Sequence, residues 1–393
     1  MAYVENVTVH DADSHVMELP TKIVEYLESQ YHDDFLSFAS KRLAVLPHME
    51  DAVAKHNDPE FVAGSEQNIL LRRNHLALGA FNNQDRPKTL DYLGFTSQLV
   101  FTTAALGNYG LESDDNVQLA LAAARAHNRM NADFCSIDAR LLATGYVPLL
   151  DIEAAPAIAQ EAIELGCKAL MVPSKCPAAH SPSHIGLDRL WSLAEEAGIP
   201  IVFHVGGEDK MADSYFNNGL PKVKDFHGGD ENFTGLSFMT IPLSVWQSMA
   251  AIIFDGVLDR HPKLKIAAIE LGATWLPSWL QFMDSAWGAF RKGEERLQNL
   301  SDRPSEIAKR QFRVTPYAHE PTGWVIDNSS EDMLLFSSDF PHVEGGRNPV
   351  KRFKDNMPNV SEQAQNKFYR DNFIDLMGAG LDRSLHDHPS LRA

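Results

Sequence analysis

Cysteine is scarce in this chain, with Cys135, Cys167 and Cys176 the only three in 393 residues. An odd trio without metal-finger spacing excludes a disulfide framework and reads as a protein of a reducing compartment. Positive charge is short as well. Lysine and arginine total 35 against 53 aspartates and glutamates, which leaves −18 at pH 7. That balance argues against nucleic acid or any other phosphate-backbone partner. No apolar run approaches the ~18 residues that span a bilayer, so no membrane partner is expected. The opening Met1-Ala2-Tyr3-Val4-Glu5-Asn6 has neither a basic n-region nor an apolar h-region, so it does not read as a signal peptide and a cytoplasmic location is expected. Familiar catalytic signatures are missing too. No Gly-x-Ser-x-Gly elbow or Cys/His nucleophile pair stands out. Gly206-Gly207 and Gly228-Gly229 lack the context and the Lys-Ser/Thr of a phosphate loop.

What is present begins at Val9-His10-Asp11-Ala12-Asp13-Ser14-His15. A two-residue period points Asp11, Asp13 and His15 to one face of a strand. After the apolar lead-in of Val4, Val7 and Val9, three polar groups on one face are odd for a buried strand. Burying two carboxylates and an imidazole is costly unless something cationic neutralises them, and a divalent metal does so. Two later apolar runs also end abruptly in a ligand-type residue: Ile199 to His204, and Met333 to Asp339.

Strand-like and helix-like segments alternate along the chain. Strands are expected at 7–13, 98–102, 144–149, 168–172, 199–204, 264–271, 312–315 and 333–338. Helices are expected at 116–138, 154–165, 187–197, 242–258, 274–290, 321–328 and 361–377. Eight strands with helices between them favour an α/β fold of the closed (β/α)8 TIM-barrel type over an open doubly wound sheet. A single domain over 1–380 is expected, with a loose or partner-bound tail at 381–393. Two pieces exceed the plain repeat: an insertion at about 21–90 after the first strand, and a lid-like loop at about 205–236. Both follow strand C-terminal ends, where barrel active sites form, so they read as lid and substrate walls. A surface insertion or an oligomer contact is the alternative.

On such a barrel Asp13, His15, His204 and Asp339 converge at the mouth. Two imidazoles and two carboxylates suit one divalent ion, Zn, Mn or Fe(II). A carboxylate at Asp13 instead of an imidazole hardens the site and favours Mn or Fe. A hydrogen-bonded polar cluster without metal is the plain alternative.

The chain resembles the amidohydrolase-related metal-dependent enzymes of the amidohydrolase superfamily, the group that contains aminocarboxymuconate-semialdehyde decarboxylase and resorcylate-type decarboxylases. The resemblance rests on Asp11-Ala-Asp13-Ser-His15, Phe203-His204, Asp259-Arg-His-Pro-Lys-Leu264, Glu270-Leu-Gly-Ala-Thr-Trp275-Leu-Pro277 and Ser337-Ser-Asp339-Phe-Pro-His342, and it spans nearly the whole chain. It implies that the family's first-strand ligands fall on Asp13 and His15, its strand-five histidine on His204 and its strand-eight aspartate on Asp339. It also implies a metal-held water that attacks or is displaced by substrate. Where many members carry a histidine ending strand six, this chain has Glu270. A glutamate there reads either as a general acid or base or as an anchor for a ligand or lid.

Among the remaining histidines, His227, His319 and His342 are candidates to meet substrate, with a solvated or loop-packing role as the alternative for each. His261 reads as a helix-end cap. Trp275, Trp279 and Trp287 fall at helical spacing and read as core or subunit packing. The leading expectation is hydrolysis of a small carbonyl-bearing molecule by metal-activated water, with Asp339 and possibly Glu270 moving the proton. Non-oxidative decarboxylation of an aromatic or unsaturated acid is second, and a non-catalytic metal scaffold third. A homo-oligomer, a dimer, is the expected assembly.

Overall fold

The computed structural model describes residues 2–113, 116–221, 223 and 234–388. Among them, seven strands pair in chain order, every pair parallel: β1 (His10–Val16), β2 (Ser97–Thr102), β3 (Leu141–Tyr146), β4 (Ala169–Val172), β5 (Ile201–His204), β6 (Ile266–Ile269) and β7 (Phe312–Val314). The result is a curled α/β sheet of TIM-barrel-like form. Its middle strands are apolar on both faces because both faces are covered: Ile201, Val202, Phe203 and Ile266 to Ile269 are all buried.

The covering layer is built from α1 (Val117–Cys135), α2 (Ala155–Glu164), α3 (Asp188–Ala197), α4 (Leu243–Phe254), α5 (Leu276–Phe290) and α6 (Thr322–Asn328). Local chemistry sets their ends. The Asn116 side chain accepts from the Leu119 N–H at 3.1 Å and starts α1. Gly198, at φ +67°, stops α3 in a left-handed turn that glycine adopts without a Cβ penalty. Between those ends α3 turns Leu190, Trp191 and Ala194 inward.

The structure departs from the expected pattern at several places. The strand expected at 333–338 forms no ladder of its own. It makes isolated bridges instead, Val314 with Leu334 and Ser14 with Phe340. The Leu335 N–H reaches the Val314 carbonyl at 2.9 Å, and the Ala12 N–H reaches the Phe336 carbonyl at 3.0 Å. This segment therefore lies between β7 and β1, bonded to each. The first strand begins at His10, not Val7, and its register on β2 slips between Asp11 and Ser14. The helix expected at 361–377 is interrupted by a π-turn at Lys367–Asp371.

Residues 17–96 carry several short helices, among them His32–Phe38, Leu46–Ala54, Pro59–Ala63 and Arg86–Leu93. Ile23, Leu27 and Phe35 from this segment form a small core with Leu119, Ala123 and Met130 of α1. Arg86 is fully buried and clamps the segment to the sheet, donating to the His15 carbonyl at 3.0 Å and to Gln98 Oε1 at 3.2 Å. Contrary to the expectation from apolar runs, Gly235–Phe254 has the length and composition of a membrane span. Its inward face, however, is buried against the rest of the molecule through Val245, Met249, Ile252 and Ile253. In the tail, Leu385 is buried and the His388 N–H reaches Thr8 Oγ1 at 2.9 Å.

Candidate metal centre

The site starts with two imidazoles whose tautomers are set by their neighbours. His15 Nδ1 lies 3.0 Å from the Thr102 carbonyl, and His204 Nδ1 lies 3.0 Å from the Val205 carbonyl. A carbonyl only accepts, so each Nδ1 carries the proton and each Nε2 offers a lone pair. Those lone pairs face carboxylates. Asp13 Oδ1 is 3.3 Å from His15 Nε2 and 3.5 Å from His204 Nε2, and Glu270 Oε2 is 3.5 Å from His204 Nε2. Asp339 Oδ1 lies 3.7 Å from His15 Nε2 and 3.6 Å from His342 Nδ1.

Four of these atoms, Asp13 Oδ1, His15 Nε2, His204 Nε2 and Asp339 Oδ1, are buried with no hydrogen-bond partner. Unpaired polar atoms are costly one at a time, and four converging on one spot call for an occupant. Ligands about 2.1 Å from an ion stand about 3.0–3.4 Å apart around it, which is close to the separations found. Asp13, His15, His204 and Glu270 form the tight group, while His15 is shared with Asp339 and His342. The residues therefore fit a divalent ion of the Zn, Mn or Fe class held by mixed nitrogen and oxygen donors.

Electrostatics tell the same story. Burial pushes the Asp339 carboxyl well above its usual range, and Glu270 and Asp13 push it further. Burial acts to raise Asp13 too, but the His15 and His204 imidazoles outweigh it and hold that carboxyl low. Burial lowers His15, which keeps the ring neutral. Three carboxylates so close together need positive charge among them.

The backbone at the site is held in uncommon conformations. Glu270 (φ +56°) and Asp339 (φ +51°) are two of four non-glycine residues with positive φ among those described. Such a conformation costs about 1–3 kcal/mol per residue and persists where neighbours over-determine it. Here they do. The Glu270 N–H bonds Thr315 Oγ1 at 2.8 Å, its carbonyl accepts from the Tyr317 hydroxyl at 2.6 Å, and the Asp339 N–H reaches the Asp13 carbonyl at 2.9 Å. Beneath them the Glu320 carboxylate accepts from the N–H groups of Ala273, Thr274 and Tyr317 and from the Thr274 hydroxyl.

Asp11, which shares the two-residue period, points to a different task. Its oxygens accept from the Ser338 N–H at 2.7 Å, the Ser338 hydroxyl at 2.6 Å and Gln98 Nε2 at 2.8 Å, fastening β1 to the segment that bears Asp339. His342 stacks on His15 at 4.1 Å, and its Nε2 is 2.9 Å from Thr103 Oγ1, so it borders the cluster. His319 is exposed at the rim, stacked on Tyr317 at 5.5 Å and facing Phe238 at 5.8 Å. His227 lies outside the described residues. Arg73 has no place in the sequence reading. Its Nε and Nη2 are buried without partners, within electrostatic reach of Asp339. Its only sequence signal is an arginine inside a segment without clear periodicity.

No curated protein matches this chain. Among solved structures it is similar to an amidohydrolase from Mycobacterium avium subsp. paratuberculosis K-10, at 21% identity and a TM-score of 0.71, covering 95% of this chain and 100% of that one. A 5-carboxyvanillate decarboxylase from Novosphingobium aromaticivorans DSM 12444, complexed with manganese and 4-hydroxy-3-methoxy-5-nitrobenzoic acid, is similar at 18% identity and a TM-score of 0.61, with 94% and 95% covered. A 2,6-dihydroxybenzoate decarboxylase from Rhizobium is similar at 17% identity and a TM-score of 0.60, with 95% and 99% covered. At these identities the likeness carries the fold. The family model described as amidohydrolase matches residues 73–376, well over half of the sequence, and the chain belongs to the amidohydrolase family.

Proposed function

We propose that the sheet closes as a (β/α)8 barrel through the segment 333–340, and that its mouth holds one divalent ion for the non-oxidative decarboxylation of a small aromatic or unsaturated acid. Asp13, His15, His204 and Glu270 would hold the ion, with Asp339 beside them. When bound, the ion supplies Lewis acidity toward a substrate oxygen next to it. The observation that carries the reading is Arg73. Two buried guanidinium nitrogens without partners beside an acidic cluster are donors waiting for an anion, and a substrate carboxylate is the fitting one. Asp339, whose Oδ1 is also unpartnered, would pass a proton to the carbon that loses carbon dioxide. Tyr317, His319 and Phe238 form an aromatic rim suited to a planar substrate. The manganese-bound decarboxylase among the similar structures supports the same choice.

Hydrolysis remains the second reading, because the same Asp339 oxygen could take a proton from water. The two part on products. With the manganese-loaded protein and a panel of hydroxybenzoates, decarboxylation releases carbon dioxide and leaves the organic product free of 18O from labelled water. Hydrolysis of lactones or amides incorporates 18O and releases none. Arg73→Gln is expected to raise KM for the turned-over acid at least about tenfold, the cost of an unpaired buried anion contact. An unchanged KM would remove Arg73 from the reading.

A further inference from the structure

Two tyrosines meet edge-on beside the mouth and differ in what their hydroxyls bond. The rings of Tyr109 and Tyr146 are 5.0 Å apart. The Tyr146 hydroxyl donates to Glu112, whereas the Tyr109 hydroxyl is buried without a hydrogen-bond partner. Ser174, in the turn that follows β4, is buried with its Oγ unpartnered as well. Both residues close on Gly207, just past His204 in the chain. A Cβ at that glycine would stand 3.2 Å from Tyr109 Cζ and 3.2 Å from Pro173 Cα, so glycine is what lets the tyrosine tip and the Ser174 turn come this close. The Lys175 N–H bonds the Gly207 carbonyl at 2.7 Å, and the Ser248 hydroxyl of α4 bonds the Ser174 carbonyl at 2.6 Å, which fixes the turn. Glu208, next along, is within electrostatic reach of the Tyr109 hydroxyl and of the Tyr317 hydroxyl that bonds the Glu270 carbonyl. Tyr109 and Ser174 therefore border the same mouth as the candidate metal centre.

We propose that Tyr109 and Ser174 are specificity-determining residues: they hold a hydroxyl at the end of the acid remote from its carboxylate, and that end of the site refuses a second carboxylate. This rests on the reading of the mouth as a site for a carboxylic acid anchored by Arg73. Position separates the two ends. Arg73 is tied to the segment between β7 and β1, since the neighbouring Asn74 N–H bonds the Pro341 carbonyl at 2.8 Å. Ser174 follows β4, in the middle of the strand order and so across the curled sheet. Chemistry selects the substituent. A tyrosine and a serine hydroxyl each donate and accept, and a substrate hydroxyl matches both roles. Glu112 and Glu208 surround the Tyr109 hydroxyl with negative charge, which works against any anion brought there. Lys175, the cation beside Ser174, is half exposed and already paired with Asp209 at 3.0 Å.

The test is calorimetric binding of benzoate, meta- and para-hydroxybenzoate, isophthalate and terephthalate to the manganese-loaded wild type, Tyr109→Phe and Ser174→Ala. One hydroxybenzoate is expected to bind the wild type at least about tenfold tighter than benzoate, as sites built for a hydroxyl reject analogues that lack it. Neither dicarboxylate should gain over benzoate. Each variant should shrink the hydroxybenzoate preference to about threefold or less while benzoate binding stays unchanged. A second measurement needs no ligand: the Tm of Tyr109→Phe should not fall, because the hydroxyl it removes has no partner in the fold. A lowered Tm overturns the proposal, as does a preference that survives in both variants or a dicarboxylate that binds tighter than benzoate. Equal binding of benzoate and the hydroxybenzoates by the wild type also overturns it, and would leave the two hydroxyls to a buried water. Carbon dioxide release on the same panel keeps this inference apart from the reading it rests on. Turnover without discrimination sinks the inference alone, and discrimination without turnover sinks the decarboxylation alone.

Discussion

A carboxylate next to a candidate metal centre can matter without being a ligand, and Asp11 is such a residue. It accepts two hydrogen bonds from Ser338 and one from Gln98 of β2, and burial pushes its carboxyl up to about 7 against those bonds. Asp11→Asn keeps the shape but turns one acceptor into a donor facing donors. We expect the substitution to cost about 2–3 kcal/mol, the penalty of unpaired buried groups, and to weaken metal affinity about tenfold, as for outer-sphere partners in general. Calorimetry and metal titration read both, and an unaltered affinity would show that Asp339 is positioned without this fastening. His204 and Asp339 stand out in the sequence because each ends an apolar run, and Asp13 and His15 because they share a two-residue polar period in the first strand. Glu270 is visible as a departure from a family pattern, but its neighbours are not. Its left-handed turn brings its oxygen to His204, and no side-chain period encodes such a turn. Arg73 and Glu320 reach the site from irregular segments, where neither a two-residue nor a 3.6-residue period exists to read.

At the scale of elements, the covered parallel strands were readable as short apolar runs, since burial on both faces leaves little else in them. Their limits were less so. The slip of β1 between Asp11 and Ser14 depends on pairing with a strand more than eighty residues away. Segment 333–338 has the composition of a strand yet is bonded by single bridges on each side. The packing between β3 and the turn after β2 carries a testable charge. Glu112 is capped by the Tyr146 hydroxyl and the Leu149 N–H, and burial raises its carboxyl to about 7 despite those bonds. A carboxyl raised in the folded state contributes stability below its unfolded value, near 4.5, and that contribution is lost as pH rises through 7. Glu112→Gln removes the titration. Its thermal midpoint should therefore fall less than that of the wild type between pH 4.5 and 7.5. Parallel curves for the two proteins would place the Glu112 proton elsewhere.

For the whole molecule, an ion at the proposed centre would compete with a proton for the same acidic mouth. In the metal-free protein Asp339 is raised well above the ordinary carboxyl value, by burial first and then by Glu270 and Asp13. By linkage its contribution to stability is present at low pH and disappears as pH rises through the raised value, because the folded state must then hold three charged carboxylates together. A dication offsets that repulsion directly. Ion binding at a hundred times its dissociation constant stabilises the fold by about 2.7 kcal/mol. That gain should be larger at pH 8 than at pH 5, where Asp339 keeps its proton without help. Scanning calorimetry of the manganese-loaded and chelator-treated protein should show a gap in Tm that widens steadily from pH 5 to pH 8. His204→Ala, which removes a nitrogen donor from the cluster, should narrow the gap at every pH. A gap of constant size would mean that the ion does not take the place of the proton. No gap at all would leave the four unpaired atoms at the mouth without the occupant their geometry fits.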